Sequence, residues 1–324
     1  MKPIMVSILV CTYNQAEYIG TALDSILCQD TEYTYEIIVG DDASTDDTAQ
    51  IVMEYQRRYP DIVKLVVQRE NKGATWNGYE ISRRASGKYV AGCDGDDCWC
   101  DSGRLQRQID FLETHSEYSA ICGRCETIDD DGNIIEPSIS ADRHFWKFEK
   151  EIYDWNDFQE WKMPGQIGAL VGRNVFNRYD ISIFYRAHRM VGDRTSVLLY
   201  LLAGPIYCSD DVVSCYRLNN SQSHFTVDYL KKNLRYEEMH LLNSLEKFAR
   251  ENGKDIDLSK IKKNRVVATA CYWMKNPSLK NLKILWKIFM DIDFKVSFVY
   301  ILLKTLILKL YYWNVLHSDK PINI

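Results

Sequence analysis

Four apolar runs of strand length punctuate the first part of this chain: Val6 to Cys11, Glu36 to Gly40, Ile62 to Gln68 and Lys88 to Cys93. The first is almost free of polar residues, the pattern of a parallel strand covered on both faces. Helical spacing fills the gaps. Ala16 to Leu27 repeats apolar residues at Ile19, Leu23, Ile26 and Leu27. Ser44 with Asp47 resembles a capping box for a helix running to about Tyr59, and Ala74 to Ala85 is a helix closed by Gly87. Strands and helices that alternate through short links predict an α/β fold, a right-handed and mostly parallel sheet flanked by helices. The loops after all four strands then share one sheet edge, where such folds bind ligands.

The fourth loop carries the densest charge. Asp94-Gly95-Asp96-Asp97 places three carboxylates in four residues, and they stay ionised together only in open water or around a cation. An all-oxygen ligand set suits Mg²⁺ or Mn²⁺. No Gly-x-Gly-x-x-Gly follows the first strand and no Walker-type loop occurs anywhere, which counts against the common dinucleotide and ATP folds.

Five segments, in this order at the ends of successive strands, resemble the inverting family 2 glycosyltransferases of the GT-A fold. They are Val6 to Asn14, Asp41-Asp42-Ala43-Ser44-Thr45-Asp46, Asn71-Lys72-Gly73, Gly87-Lys88-Tyr89-Val90 and Asp94-Gly95-Asp96-Asp97. The resemblance implies a nucleotide-sugar donor, a UDP-sugar favoured, held by Thr12, Tyr13, Asn14, Asp42, Asn71, Gly73, Asp94 and Gly95. A uracil-type base offers an N–H that the Asp42 carboxylate can accept and a face that Tyr13 can cover. Asp94 would face the ribose and Asp96 a Mn²⁺ or Mg²⁺ ion on the diphosphate, with Asp97 as a substitute ligand. Met190-Val191-Gly192-Asp193-Arg194 resembles the family's base motif and makes Asp193 the candidate general base. Gln166 maps to the acceptor pocket, and Arg217 with His224 to diphosphate contacts after loop closure. Transfer to a glycan or lipid-linked acceptor in cell-surface polysaccharide assembly is what this implies. A metal-dependent nucleotidyltransferase and a non-catalytic nucleotide-sugar-binding protein are the alternatives.

The resemblance divides the chain into a GT-A domain, residues 1–225, with a nucleotide-sugar half (1–100) and an acceptor half (101–225), and a helical region, 226–324. Charge divides at the same place. Residues 226–324 hold 18 Lys and Arg against 10 Asp and Glu, so the tail is +8 and the preceding body −13. That asymmetry points to an anionic membrane surface rather than nucleic acid. Ser278 to Met290 reads as a basic amphipathic helix. Val296 to Leu316 is apolar, but Lys304 and Lys309 make a helix lying on the cytoplasmic leaflet or on the catalytic domain preferable to a span. The N-terminus lacks the apolar core of a signal peptide, which predicts a cytoplasmic protein. The ten cysteines then read as reduced thiols. The pairs Cys98/Cys100 and Cys122/Cys125 invite a Zn²⁺ reading, which the Cys-x-Cys spacing and their places in strand and helix-entry segments disfavour.

Overall fold

The computed structural model describes residues 3–135, 148–218 and 235–290. Strands β1 (Val6–Thr12), β2 (Tyr35–Asp41), β3 (Val63–Val67), β4 (Tyr89–Asp94), β5 (Ala120–Ile128), β6 (Ile152–Tyr153), β7 (Leu170–Arg173) and β8 (Ile206–Arg217) form one sheet in the order β3-β2-β1-β4-β7-β5-β8-β6. The expected mostly parallel α/β sheet is present. β3, β2, β1 and β4 run parallel, and β5 and β8 are parallel to each other. β7 lies antiparallel between β4 and β5.

Register places the site. Thr12 pairs with Asp41, Cys11 with Asp94 and Asp41 with Val67, so four strands end level and their loops emerge side by side. Side chains along β1 alternate between two faces, as the pleat requires. Val6, Ile8 and Val10 pack with α1 (Ile19–Leu27), α2 (Thr48–Arg58) and α4 (Arg104–Thr114) through Ile19, Leu23, Val52, Leu105 and Ile109. Leu9 and Cys11 look the other way, toward α3 (Ala74–Ser82). The second core gathers α5 (Trp155–Gln159), α6 (Ile183–Ala187), α7 (Asp193–Ala203), α8 (Arg235–Glu251), α9 (Ser259–Lys275) and α10 (Leu279–Met290) around β5 and β7. Met239, Leu242, Leu245 and Phe248 of α8 are buried in the same cluster as Leu198 of α7.

Some local expectations change. Ser44 does not cap α2: its hydroxyl donates to Asp41 and accepts the Asn14 amide, while Asp46 accepts the Thr48 amide instead. Gly87 does not close α3, which ends at Ser82. A Cβ there would stand 2.6 Å from the Ser7 nitrogen and 2.8 Å from the Val6 carbonyl carbon, so Gly87 is required for the chain to enter β4 against β1. β8 is the longest of the described strands, Ile206–Arg217, and ends on Arg217 beside the acidic loop. Among the described residues no helix is long and apolar enough to cross a membrane. The segment Val296 to Leu316, with Lys304 and Lys309, lies outside the described residues.

Candidate active site

The loops after β1 and β2 are locked together by short polar contacts. Asn14 adopts a left-handed backbone (φ 52°), and its side-chain carbonyl accepts the Thr45 amide at 2.7 Å. Ala43 is left-handed too (φ 60°), a conformation costing roughly 1–2 kcal/mol for a residue with a Cβ. Its neighbour Asp42 is buried, and its carboxylate accepts the amides of Lys72 (3.0 Å) and Gly73 (2.8 Å), while the Asp42 amide donates to the Thr12 carbonyl. Asp42 therefore clamps the third loop onto the first. Tyr13 is half-buried and Asn71 exposed beside this junction. Gly73 is left-handed (φ 96°), and a Cβ there would press on Arg189 at 3.0 Å.

The acidic loop has two faces. A Cβ on Gly95 would stand 2.7 Å from the Thr12 hydroxyl and 2.5 Å from the Gln15 side chain, so this position brings the loop hard against β1. Asp94 opens onto the cleft but is ringed by protein on its other sides. Burial first, then the charges of Asp96 and Asp193, push its carboxyl up from 3.8 to about 7. Burial also raises Asp96, opposed by its own amide, by Arg217 and by a hydrogen bond from Gln15. Asp97 turns inward. It accepts the Arg217 amide at 2.9 Å and lies 3.5 Å from the Gln166 amide group, and burial with the Asp96 and Asp94 charges raises it strongly.

Arg217 braces this loop from behind. It donates through Nε to the Asp96 carbonyl (2.9 Å) and through one terminal nitrogen to the carbonyls of Asp129 and Asp130, and it lies over the Tyr18 ring. Its contacts are those of a strut. Gln166 likewise lies behind the cleft, 4 % exposed. Cys98 and Cys215 exchange backbone hydrogen bonds that tie the loop to β8. All ten cysteines are free. His224 lies outside the described residues.

Asp193 opens α7 with Gly192 at the N-cap. It faces Asp94 across one cavity of about 210 Å³, whose walls include Cys11, Thr75, Gly92, Met190 and Tyr200. Burial raises the Asp193 carboxyl, with Arg194 opposing. Two residues first identified here are Gln15, which bonds both Thr12 and Asp96, and Thr75. Gln15 directly follows Asn14 and was within reach of a reading of that loop. Thr75 sits in α3, where nothing local sets it apart.

The donor chemistry at this edge fits a hard divalent cation. The Asp96 charge raises the proton affinity of Asp94, a repulsion that a cation relieves. Among the described residues no set of three or more His, Cys, Asp or Glu cages a metal ion. Mg²⁺-type ions are commonly held by one or two carboxylates with the remaining ligands from substrate phosphates and water. Asp96 is the residue that would hold one, because Asp97 turns inward onto the Arg217 amide.

This architecture is that of the GT-A glycosyltransferases. Residues 1–349 of TarS from S. aureus, solved in complex with UDP-GlcNAc, match at a TM-score of 0.64 with 17% identity, covering 88% of this chain and 79% of that one. Mannosyltransferase PcManGT of Pyrobaculum calidifontis, solved with GDP-Man and Mn²⁺, matches at a TM-score of 0.50 with 20% identity, covering 96% and 83%. The chain belongs to glycosyl transferase family 2, whose sequence profile matches residues 7–180. The uncharacterized protein Rv1520 of Mycobacterium tuberculosis is 40% identical over 126 residues, 39% of this chain and 36% of that protein. TuaG of Bacillus subtilis, named provisionally as a glycosyltransferase of teichuronic acid biosynthesis, is 35% identical over 115 residues, 36% of this chain and 44% of that one. The chain thus spans about a third of the length of the first of these curated relatives.

Proposed function

We propose that this glycosyltransferase inverts the anomeric centre while moving a sugar from a nucleotide diphosphate, UDP favoured, to a hydroxyl of a glycan or lipid-linked acceptor in cell-surface polysaccharide assembly. The observation that carries the reading is the pairing of Asp94 and Asp193 across one cavity, on the edge where Thr12, Asp42 and Gly73 are held together.

In this reading Thr12, Tyr13, Asn14, Asp42, Asn71 and Gly73 hold the base and ribose, with Asp94 and Gly95 beneath the ribose. Asp96 faces the diphosphate, and Asp97, anchored on the Arg217 amide, fixes the loop from behind. A bound Mn²⁺ or Mg²⁺ supplies the positive charge that lets an acidic edge receive a diphosphate and stabilises it as a leaving group. Asp193 takes the acceptor's hydroxyl proton as that oxygen bonds to the anomeric carbon and the bond to the diphosphate breaks on the opposite face. A raised carboxyl suits this task because it holds the proton more strongly than a free aspartate. Arg217 supports the acidic loop from behind, Gln166 is assigned to the acceptor side, and His224 to a diphosphate contact after loop closure. The basic C-terminal region would bring the enzyme to the cytoplasmic face of an anionic membrane.

Replacing Asp193 with Asn tests the assignment. Transfer should fall about 100-fold or more while nucleotide binding persists; retained transfer would reject Asp193 as the base.

A further inference from the structure

His188 lies five residues before Asp193, on the link between α6 and α7, and its side chain is 0% exposed. Nδ1 accepts two backbone hydrogen bonds, from Met190 at 3.0 Å and Val191 at 2.9 Å. A ring nitrogen that accepts twice carries no proton, so the proton sits on Nε2. Nε2 is buried without a hydrogen-bond partner, 3.8 Å from the Glu237 carboxylate of α8. Burial, with the charge of His240, lowers this imidazole from 6.5 to about 4, so it is neutral where most proteins work.

The same link is gripped from its other side. The Thr75 hydroxyl lies 2.7 Å from the carbonyls of both His188 and Arg189, and the Thr75 amide donates to Arg189 at 3.3 Å. Gly73, whose amide is held by Asp42, packs on Arg189. Met190, Gly192 and Asp193 then line the cavity with Thr75.

We propose that His188 is a positioning residue for Asp193: its unprotonated Nδ1 gathers the Met190 and Val191 amides and so sets the first turn of α7 against the donor loop at Gly73. This rests on Asp193 being the base. Without that acceptor, two inward-facing amides lose their partner and the turn relaxes, displacing the carboxylate that must meet the acceptor hydroxyl. The donor loops, fixed separately by Asp42 and Asn14, keep their places. His188 thus acts on turnover and leaves nucleotide binding alone.

The test uses the full chain and five variants, the two at Thr75 being needed only if His188→Leu does not fold. Leucine at 188 keeps bulk without an acceptor, and asparagine offers Oδ1 near the place of Nδ1. His188→Leu should lower kcat about 10- to 100-fold, with UDP affinity by calorimetry changed less than about twofold, and His188→Asn should recover most of the loss. A folded His188→Leu enzyme with unchanged kcat, an equal loss of UDP affinity, or no recovery by asparagine would each overturn the proposal. Should His188→Leu not fold, Thr75→Val removes the hydroxyl from the same link, and Thr75→Ser restores it. A kcat-specific loss recovered by serine is expected, and unchanged kcat in folded Thr75→Val overturns the proposal. Asp193→Asn, measured alongside, separates the two ideas. If it is inactive while His188→Leu is fully active, positioning fails and the base stands; if it stays active, the base reading fails and the proposal falls with it.

Discussion

Replacing Asp94 with Asn should make the unliganded protein more stable at pH 8 and leave it no more stable at pH 4. Asp94 rises from 3.8 to about 7 because burial and the Asp96 and Asp193 charges oppose its ionisation. A carboxyl raised on folding gives stability that is complete below about pH 3.8 and is lost as the pH climbs through about 7. At about 1.4 kcal/mol per tenfold change in proton affinity, the unscreened loss is about 4 kcal/mol. Asp94 opens onto solvent in the cleft, so screening reduces this to roughly 1–2 kcal/mol. The neutral amide removes the loss, and melting curves without cation or nucleotide should show the variant about 2–5 °C higher at pH 8. Adding Mn²⁺ should narrow the gap by stabilising the native carboxylates. A variant less stable than the native protein at pH 8, or a gain of equal size at both pH values, would refute the reasoning.

Gly95→Ala forces a methyl group onto Thr12 and Gln15; it should weaken UDP binding by about tenfold or more, measured by calorimetry, and cost about 1–3 kcal/mol of stability in chemical denaturation. On α10, Leu279, Leu282 and Trp286 are 78%, 41% and 60% exposed beside exposed Lys280 and Lys283, while Ile288 is buried. Leu282→Ser with Trp286→Ser should reduce co-sedimentation with anionic vesicles by about tenfold and leave transfer to a soluble acceptor unchanged. Equal sedimentation of both proteins would remove α10 as the membrane contact.

The first half of the sheet was legible because each of its strands is written locally. Val6 to Cys11 needs no partner to identify it, and the turns at Asn14, Gly73 and Gly95 carry residues that left-handed or crowded backbone demands. The place of β7 was not legible. Leu170–Arg173 is four residues long, and its insertion between β4 and β5 depends on pairings with Tyr89 and Ala120 that lie far away in sequence. Side-chain direction was equally hidden. Asp96 and Asp97 are adjacent and chemically identical, yet only the contacts of Arg217 and Gln166 turn one inward. Arg217 looks like a phosphate ligand as a cation in a polar segment, and only the carbonyls of Asp96, Asp129 and Asp130 reveal it as a brace. Ser44 matched the capping-box pattern, but the neighbouring Asp41 carboxylate and Asn14 amide claim its hydroxyl.

The central claim, a cation-assisted nucleotide-sugar site at the edge formed by Asp42, Asp94 and Asp96, is tested most directly by the melting temperature of the full chain with UDP, GDP, CDP or dTDP, with and without Mn²⁺. A nucleotide at a hundred times its dissociation constant adds about 2.7 kcal/mol of stability. UDP with Mn²⁺ should give the largest rise, and Asp96→Ala should abolish its Mn²⁺-dependent part. No rise with any of the four nucleotides in the presence of Mn²⁺ would contradict the account.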